Sequence, residues 1–252
     1  MHITDSHFHT EMVIERGLDY KASFSMLSGG IDAGCDLNDI ERRSKLLEGF
    51  DHIHLAAAMG PWCASDMAAE DLESALSQLE EKIQTYHAHF LGEIGLDYYW
   101  NYGTPELQKD LFQSQMLLAN RLGLRILVHC RDAACDVSNL IKSVRPAKAG
   151  VIHCFDGSEE LLNTALDCGF WISFAGNLTY KSNDHLRQML KKVPRGKLLL
   201  ETDAPYLTPV PLRGKPNCPA NIIHTYECAA QVLGISVQQL SEQVFENFTC
   251  FV

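Results

Sequence analysis

The amino-acid sequence predicts one (β/α)8 TIM barrel that occupies residues 1–252 as a single domain. Short apolar segments rich in β-branched residues alternate along the chain with segments of helical periodicity. This alternation indicates a parallel sheet, because each parallel strand needs a long crossover before the next one begins. Eight such segments are present, and eight is the strand number that closes a barrel of this class.

The helix termini carry local signals as well as periodicity. Thr104 provides an N-cap before Pro105 at the first helical position, and Gly123 ends the same helix. The predicted strands are Ile3–Ser6, Gly30–Gly34, His52–Ala58, His89–Ile94, Arg125–His129, Gly150–His153, Phe170–Phe174 and Leu198–Thr202. The predicted helices are Asn38–Glu48, Ala69–Tyr86, Pro105–Leu122, Asp132–Ser143, Ser158–Cys168, Asn183–Lys192, Ala220–Leu233 and Ser236–Phe248. A doubly wound open sheet is the alternative, but no GxGxxG or Walker A sequence supports it.

Composition limits the classes of function. A hydrophobic content of 46% supports a large core, and no apolar run approaches the ~20 residues that cross a bilayer. The N-terminal residues contain no signal sequence, so we expect a cytoplasmic protein without a membrane segment. We also expect the protein to be a monomer. The net charge of −11 argues against a protein that coats DNA regardless of sequence. This charge does not exclude an enzyme that binds one end of a nucleic-acid strand through metal ions.

Nine cysteines are scattered along the chain without a CxxC pair. Free thiols are therefore expected rather than a disulfide framework. Cys130 and Cys154 each follow a candidate ligand histidine. Because neighbours on a strand point to opposite faces, we expect both cysteines to pack away from any metal.

Six residues of metal-binding type lie at or near the carboxyl ends of predicted strands: His7, His9, Glu93, His129, His153 and Asp203. Barrels of this class keep their active sites at that face. His7 and His9 are two residues apart, so their rings face the same side of a strand. Each residue alone is more often structural, and His52 and His54, at the start of a strand, are interpreted that way. The joint placement of all six favours a metal centre.

The residue types indicate two-metal hydrolysis. A carboxylate at Glu93, near the end of an apolar strand, is costly unless it is paired or binds metal, and its two oxygens could bridge two ions. Asp203 could bind metal and accept a proton from water, so Glu93 and Asp203 are the predicted catalytic residues. The mixed nitrogen and oxygen donors suit Zn, Mn, Ni or Fe more than a pure oxygen site for Mg. Metal-bound hydroxide would serve as nucleophile.

The motifs around these residues resemble those of the TatD family of metal-dependent deoxyribonucleases. They include Asp5-Ser-His-Phe-His9, Gly92-Glu-Ile-Gly-Leu-Asp-Tyr98, His153-Cys-Phe-Asp-Gly-Ser158 and Leu200-Glu-Thr-Asp-Ala-Pro-Tyr206. The resemblance implies two divalent metal ions bridged by Glu93, for which Zn, Mn or Mg are the predicted candidates, with Ni or Fe as further candidates. It implies that His7, His9 and Asp203 complete one site, and that His129 and His153 complete the other. It also implies hydrolysis of DNA or RNA ends, commonly as a 3′→5′ exonuclease.

Two departures from the family pattern concern the substrate. Gly60 stands where the family's Gly-x-His-Pro stretch has a histidine, and Pro216-Asn-Cys-Pro219 replaces an Arg-Asn-Glu-Pro segment. We therefore predict that Arg131, Arg213 and Lys215 contact the substrate, although Arg131 could instead pair with Asp97 or Asp132. Two other functions remain open. One is an amidohydrolase-type enzyme acting on a small amide, lactone or phosphoester, and the other is a non-catalytic subunit that holds metal.

Overall fold

Eight parallel β-strands form one sheet in sequential order in the computed structural model, which describes residues 1–252. The strands are β1 Thr4–Phe8, β2 Gly29–Asp32, β3 Ile53–Ala57, β4 Phe90–Asp97, β5 Arg125–Arg131, β6 Val151–Ile152, β7 Trp171–Phe174 and β8 Leu198–Leu200. The segment after β8 returns to β1, where His9 N donates to Ala204 O at 2.9 Å and Asp203 N donates to His7 O at 2.9 Å. These bonds bring the first and last strands together. The predicted (β/α)8 barrel is confirmed.

Ten α-helices surround the sheet: α1 Thr10–Glu15, α2 Tyr20–Phe24, α3 Ile40–Leu46, α4 Leu72–Thr85, α5 Pro105–Leu122, α6 Ala134–Val144, α7 Glu159–Asp167, α8 Asp184–Leu190, α9 Ile222–Leu233 and α10 Val237–Phe251. The predicted caps of α5 are present, because Thr104 Oγ1 accepts from Leu107 N and Gly123 is left-handed at φ 67°. The short helices α1 and α2 were not predicted. β4 and β5 extend beyond their predicted ends, to Asp97 and Arg131.

Apolar side chains fill the amino-terminal end of the barrel. Helix α10 covers this end: Phe251 stacks on Phe90, the first residue of β4, with ring centroids 5.3 Å apart, and also meets Trp171 at the start of β7. His54 lies at the same end, 6.1 Å from the ring of Phe248. His52 and His54, at the start of β3, are therefore far from the carboxyl ends of the strands, as predicted.

A buried arginine connects α3 to β2 and β3 near the carboxyl ends of these two strands. Arg43 donates to Asp32 Oδ2 at 2.6 Å, to Asp39 Oδ1 at 2.8 Å and to the backbone oxygen of Ala56 at 2.7 Å. Asp32 also accepts from Thr10 N at 2.8 Å, directly after His9. Asp32 therefore connects the end of β2 to α1 through Thr10 and to α3 through Arg43.

We expect Arg43→Met to lower the free energy of unfolding by about 3–5 kcal/mol, because it leaves buried carboxylates without their cation. Denaturant unfolding of the purified protein measures this change. Arg42→Met is the matched control, since Arg42 is 64% exposed and pairs with Glu11 on the surface. Its effect should stay within about 1 kcal/mol. Equal stability of the two variants would contradict the structural role of the Arg43 network.

Candidate active site

Glu93 enters the barrel through a bulge in β4. Gly92 pairs with Leu127 and Ile94 pairs with Val128, so Glu93 has no partner of its own on β5. Its N–H donates instead to Gly34 O at 2.9 Å. Bulges of this kind re-aim a side chain and are common beside active sites. Here the bulge directs a carboxylate towards the barrel axis.

A glycine permits β4 and β5 to approach closely beside this bulge. Gly95 has a φ of +148°, and a Cβ there would overlap the backbone carbonyl of His129. Only glycine combines that backbone conformation with that approach. The second glycine of the Gly-Glu-Ile-Gly segment thus places His129 next to Glu93.

The two oxygens of Glu93 face different pairs of imidazoles. Oε2 lies 3.3 Å from His7 Nε2 and 3.4 Å from His9 Nε2. Oε1 lies 2.8 Å from His153 Nε2 and 2.5 Å from His129 Nδ1. A carboxylate placed between two sets of nitrogens has the arrangement needed to bridge two cations.

Asp203 completes the cluster from the end of β8. Its Oδ1 lies 3.6 Å from His9 Nε2, and its side chain is 14% exposed whereas that of Glu93 is 3% exposed. Three sets of donors lie close enough to hold a metal ion: His7 with His9 and Glu93, Glu93 with His129 and His153, and His7 with His153 and Asp203. The structure therefore brings together all six residues singled out in the sequence. It places Asp203 near both halves of the cluster and not only beside His7 and His9.

Two further carboxylates orient the histidines. Asp97 Oδ2 lies 3.1 Å from His129 Nε2, and Glu201 Oε1 lies 3.3 Å from His153 Nδ1. In each case the opposite ring nitrogen faces Glu93. Carboxylates in such positions fix the orientation of metal-binding histidines and raise their basicity. Neither residue was predicted to have this role, although Glu201 carries the same signal as Glu93, a carboxylate at the end of an apolar strand.

Two of the buried donors, Glu93 and His7, have the charge states that suit a divalent cation. Burial raises the pKa of Glu93, but the neighbouring His153 and His129 outweigh this effect and hold the pKa well below its usual range. Burial lowers the pKa of His7, which favours the neutral imidazole that binds metals. Both ring nitrogens of His7 are buried and have no hydrogen-bond partner. Such orphaned groups are costly unless a ligand satisfies them, and a cation between His7 and Glu93 would do so.

The cysteines near the cluster differ from expectation. Cys130 belongs to the outer core, but it also reaches the cavity above the cluster. Cys154 lines the same cavity, because the chain turns at a φ of +43° directly after His153. The prediction that Cys154 packs away from the site was therefore wrong. Cys35, which was not predicted to lie at the site, has its Sγ 3.3 Å from His9 Nδ1.

A cavity of about 830 Å³ opens above the cluster. Of the three cationic residues predicted to contact the substrate, one lines this cavity and two do not. Arg131 lines the cavity and forms no salt bridge with Asp97 or Asp132, so the structural alternative proposed for it is absent. Its guanidinium lies over the ring of Tyr99 at 3.9 Å. Arg213 and Lys215 lie outside the cavity wall, and the Arg213 guanidinium lies 4.2 Å from the ring of Tyr180. Contact of these two residues with substrate stays a prediction.

A (β/α)8 barrel with a cluster of histidines and carboxylates at the carboxyl ends of its strands is the architecture of a metal-dependent hydrolase. The family model described as TatD related DNase matches residues 3–251 of this chain. The chain belongs to the TatD family of metal-dependent hydrolases, which confirms the resemblance noted in the sequence.

Curated relatives and a solved structure agree with this assignment. The uncharacterized metal-dependent hydrolase YabD of Bacillus subtilis (strain 168) is 33% identical over 251 residues, which cover 98% of this chain and 94% of YabD. The 3′-5′ ssDNA/RNA exonuclease TatD of Citrobacter rodentium (strain ICC168) is 31% identical over 258 residues, which cover 98% of this chain and 94% of that protein. The crystal structure of the TatD homologue YjjV from Escherichia coli K12 shares the fold, with a TM-score of 0.89, 23% identity and coverage of 99% and 97% of the two chains.

None of the helices combines the length and apolar character that a bilayer-spanning segment requires. The cytoplasmic location and the monomeric state stay predictions.

Proposed function

We propose that this protein is a two-metal phosphodiesterase that removes nucleotides from the 3′ ends of DNA and RNA strands. The observation that carries the proposal is the position of Glu93, whose two oxygens each face a separate pair of imidazoles. A relative of similar length is named a 3′-5′ ssDNA/RNA exonuclease, which supports the choice of substrate and polarity.

The chain offers donors for two cations, for which Zn, Mn and Mg, and also Ni and Fe, are candidates. His7, His9 and Asp203 would hold one cation with Glu93 Oε2, and His129 and His153 would hold the other with Glu93 Oε1. When bound, the cations would supply Lewis acidity to a phosphoryl oxygen and to a water molecule. Asp97 and Glu201 keep His129 and His153 oriented towards them.

Asp203 is suited to accept the proton of the attacking water. It is the most exposed carboxylate of the donor cluster, and it lines the cavity that the substrate would enter. Glu93 is almost fully buried and contacts four histidines, so it is suited to hold metals rather than to move protons. Arg131, the one lysine or arginine on the cavity wall, would contact a substrate phosphate.

The charge of the cavity favours a second candidate, an amidohydrolase-type enzyme acting on a small amide, lactone or phosphoester. Apart from Arg131, the charged residues of the wall outside the buried cluster are the carboxylates Asp97 and Asp156. A long polyanion would meet little positive charge there. These carboxylates would repel a substrate with at most one phosphate less strongly than a polyanion.

An oligonucleotide assay separates the two candidates. We expect single-stranded DNA and RNA carrying a 5′ label to shorten one nucleotide at a time from the 3′ end when Mn, Mg or Zn is supplied. EDTA should stop the reaction, and a 3′-terminal phosphorothioate linkage should slow it. Hydrolysis of small amides or lactones in the same preparation, without any shortening of oligonucleotides, would contradict the exonuclease proposal and support the second candidate.

A further inference from the structure

One side of the cavity is an aromatic wall, defined here as Trp62, Trp100 and Tyr102. All three residues line the cavity beside the metal-binding cluster. The Trp62 ring lies 6.0 Å from the ring of His129, centroid to centroid, and 6.4 Å from the ring of Tyr102. Trp100 is 52% exposed. Aromatic side chains of the wall thus reach from the solvent, at Trp100, to the neighbourhood of a metal-binding histidine, at the half-buried Trp62.

The position of Trp62 is fixed by two local features. Its Nε1 donates to Cys35 O at 2.9 Å, which anchors the indole beside Tyr102. The same indole lies so close over Gly60 that a Cβ at that position would overlap its Cζ2 and Cε2 atoms. Gly60 therefore leaves the space that Trp62 occupies. The indole is held in place before any substrate arrives, which reduces the entropy lost on binding.

Arg131 adds a cation at the edge of the aromatic wall. Its guanidinium lies 3.9 Å from the Tyr99 ring and 5.7 Å from the Trp100 ring, and no carboxylate forms a salt bridge with it. Stacking aromatics combined with cations are what proteins use to bind single-stranded nucleic acids without sequence preference. Here the cation is single and the aromatic surface is large, so stacking would supply most of the affinity.

We propose that the aromatic wall stacks against the base of the nucleotide being released, and that Trp62 is its main contact. The proposal rests on the proposed function, because it takes the substrate to be a nucleotide chain whose phosphodiester lies at the cluster. Every base has a π-face, so the wall accepts all four bases. A base must be unpaired and unstacked to reach it, so the wall selects single-stranded ends.

Two substitutions at one position test the stacking. Trp62→Phe keeps an aromatic face and Trp62→Ala removes it, whereas both lose the bond to Cys35 O, so that loss is common to the two variants. The substrates are two matched oligonucleotides, one with an ordinary 3′ nucleotide and one with an abasic tetrahydrofuran residue there. We expect Trp62→Ala to lower kcat/KM on the ordinary end by about tenfold to a hundredfold. The same variant should barely change hydrolysis of the abasic end, and Trp62→Phe should keep most of the activity on both.

A binding measurement gives a readout that does not depend on turnover. The probes are dAMP, a product that cannot be shortened further, and 2-deoxyribose 5-phosphate, which has no base. We expect dAMP to quench the tryptophan fluorescence of the metal-loaded protein and the sugar phosphate to have little effect. Trp171, at the other end of the barrel beside Phe251, supplies a constant background. The dAMP signal should weaken strongly in Trp62→Ala.

The outcomes separate this proposal from the proposed function. Equal losses for Trp62→Ala and Trp62→Phe, or equal losses on ordinary and abasic ends, would overturn the stacking contact while leaving the exonuclease in place. If the wild type hydrolysed no oligonucleotide, the exonuclease would be rejected, and the comparison of dAMP with the sugar phosphate would still decide whether the wall binds a base. Similar binding of the two probes would overturn the stacking contact in that case too. Circular dichroism confirms that each variant is folded.

Discussion

Asp203→Asn should abolish hydrolysis while leaving the barrel folded. Asparagine keeps the shape of the side chain but removes the charge that accepts a proton, and loss of a general base typically lowers rates by about 10²–10⁴-fold. The side chain lies at the cavity, 3.6 Å from His9 Nε2, so its replacement leaves the packed core intact. The measurement is kcat/KM for oligonucleotide shortening at saturating metal, with the melting temperature as a check on folding.

Asp156→Asn is the matched control, because Asp156 lines the same cavity but lies outside the donor cluster. It should retain nearly full activity. If Asp203→Asn turned over like the wild type, the proton would be accepted elsewhere and the proposed role of Asp203 would be rejected. If both variants lost activity equally, the effect would come from the charge of the cavity rather than from one base.

Glu93→Ala should release most of the bound metal from the protein. Its carboxylate lies within 3.4 Å of nitrogens on His7 and His9, and still closer to His129 and His153, so its removal takes one donor from both proposed sites. Alanine is small, so the fold should tolerate the change better than a new buried polar group. Elemental analysis after gel filtration measures the metal bound per chain in the variant and in the wild type.

Asp97→Ala provides a graded comparison. Within the cluster Asp97 contacts only His129, so its loss should weaken metal binding by about 10–100-fold and leave part of the metal bound. Metal content in folded Glu93→Ala equal to that of the wild type would reject the bridging role. Equal metal loss in both variants would show that the orientation of His129 matters as much as the shared carboxylate.

The donor set was predictable from the sequence because its signals are local. His7 and His9 stand two residues apart at the end of β1, and His129 and His153 lie at or near the ends of apolar strands. In a parallel barrel all carboxyl ends of strands lie at one face, so local signals on several strands are enough to bring these residues together.

The supporting contacts were not predictable because they depend on neighbours distant in sequence. The pairing of Asp97 with His129 depends on the register of β4 against β5, and that register shifts at Glu93. The position of Trp62 depends on the empty space over Gly60, a loop contact with no periodic signal. Cys154 does not follow the alternation of strand side chains between two faces, because the backbone turns left-handed directly after His153. Periodicity describes regular strands, and each of these features occurs where regularity ends.

Helix α10, which covers the amino-terminal end of the barrel, has a consequence during protein synthesis. Phe248 packs against Gly29, and Phe251 packs against Phe90, so the interior is sealed by residues made long after the strands that they cover. A nascent chain that has released β1 to β8 from the ribosome but not residues 248–251 still exposes the apolar interior of its barrel to water. Until those residues emerge, the growing polypeptide presents a surface that chaperones can recognise, and premature termination before them would leave the same surface open to aggregation.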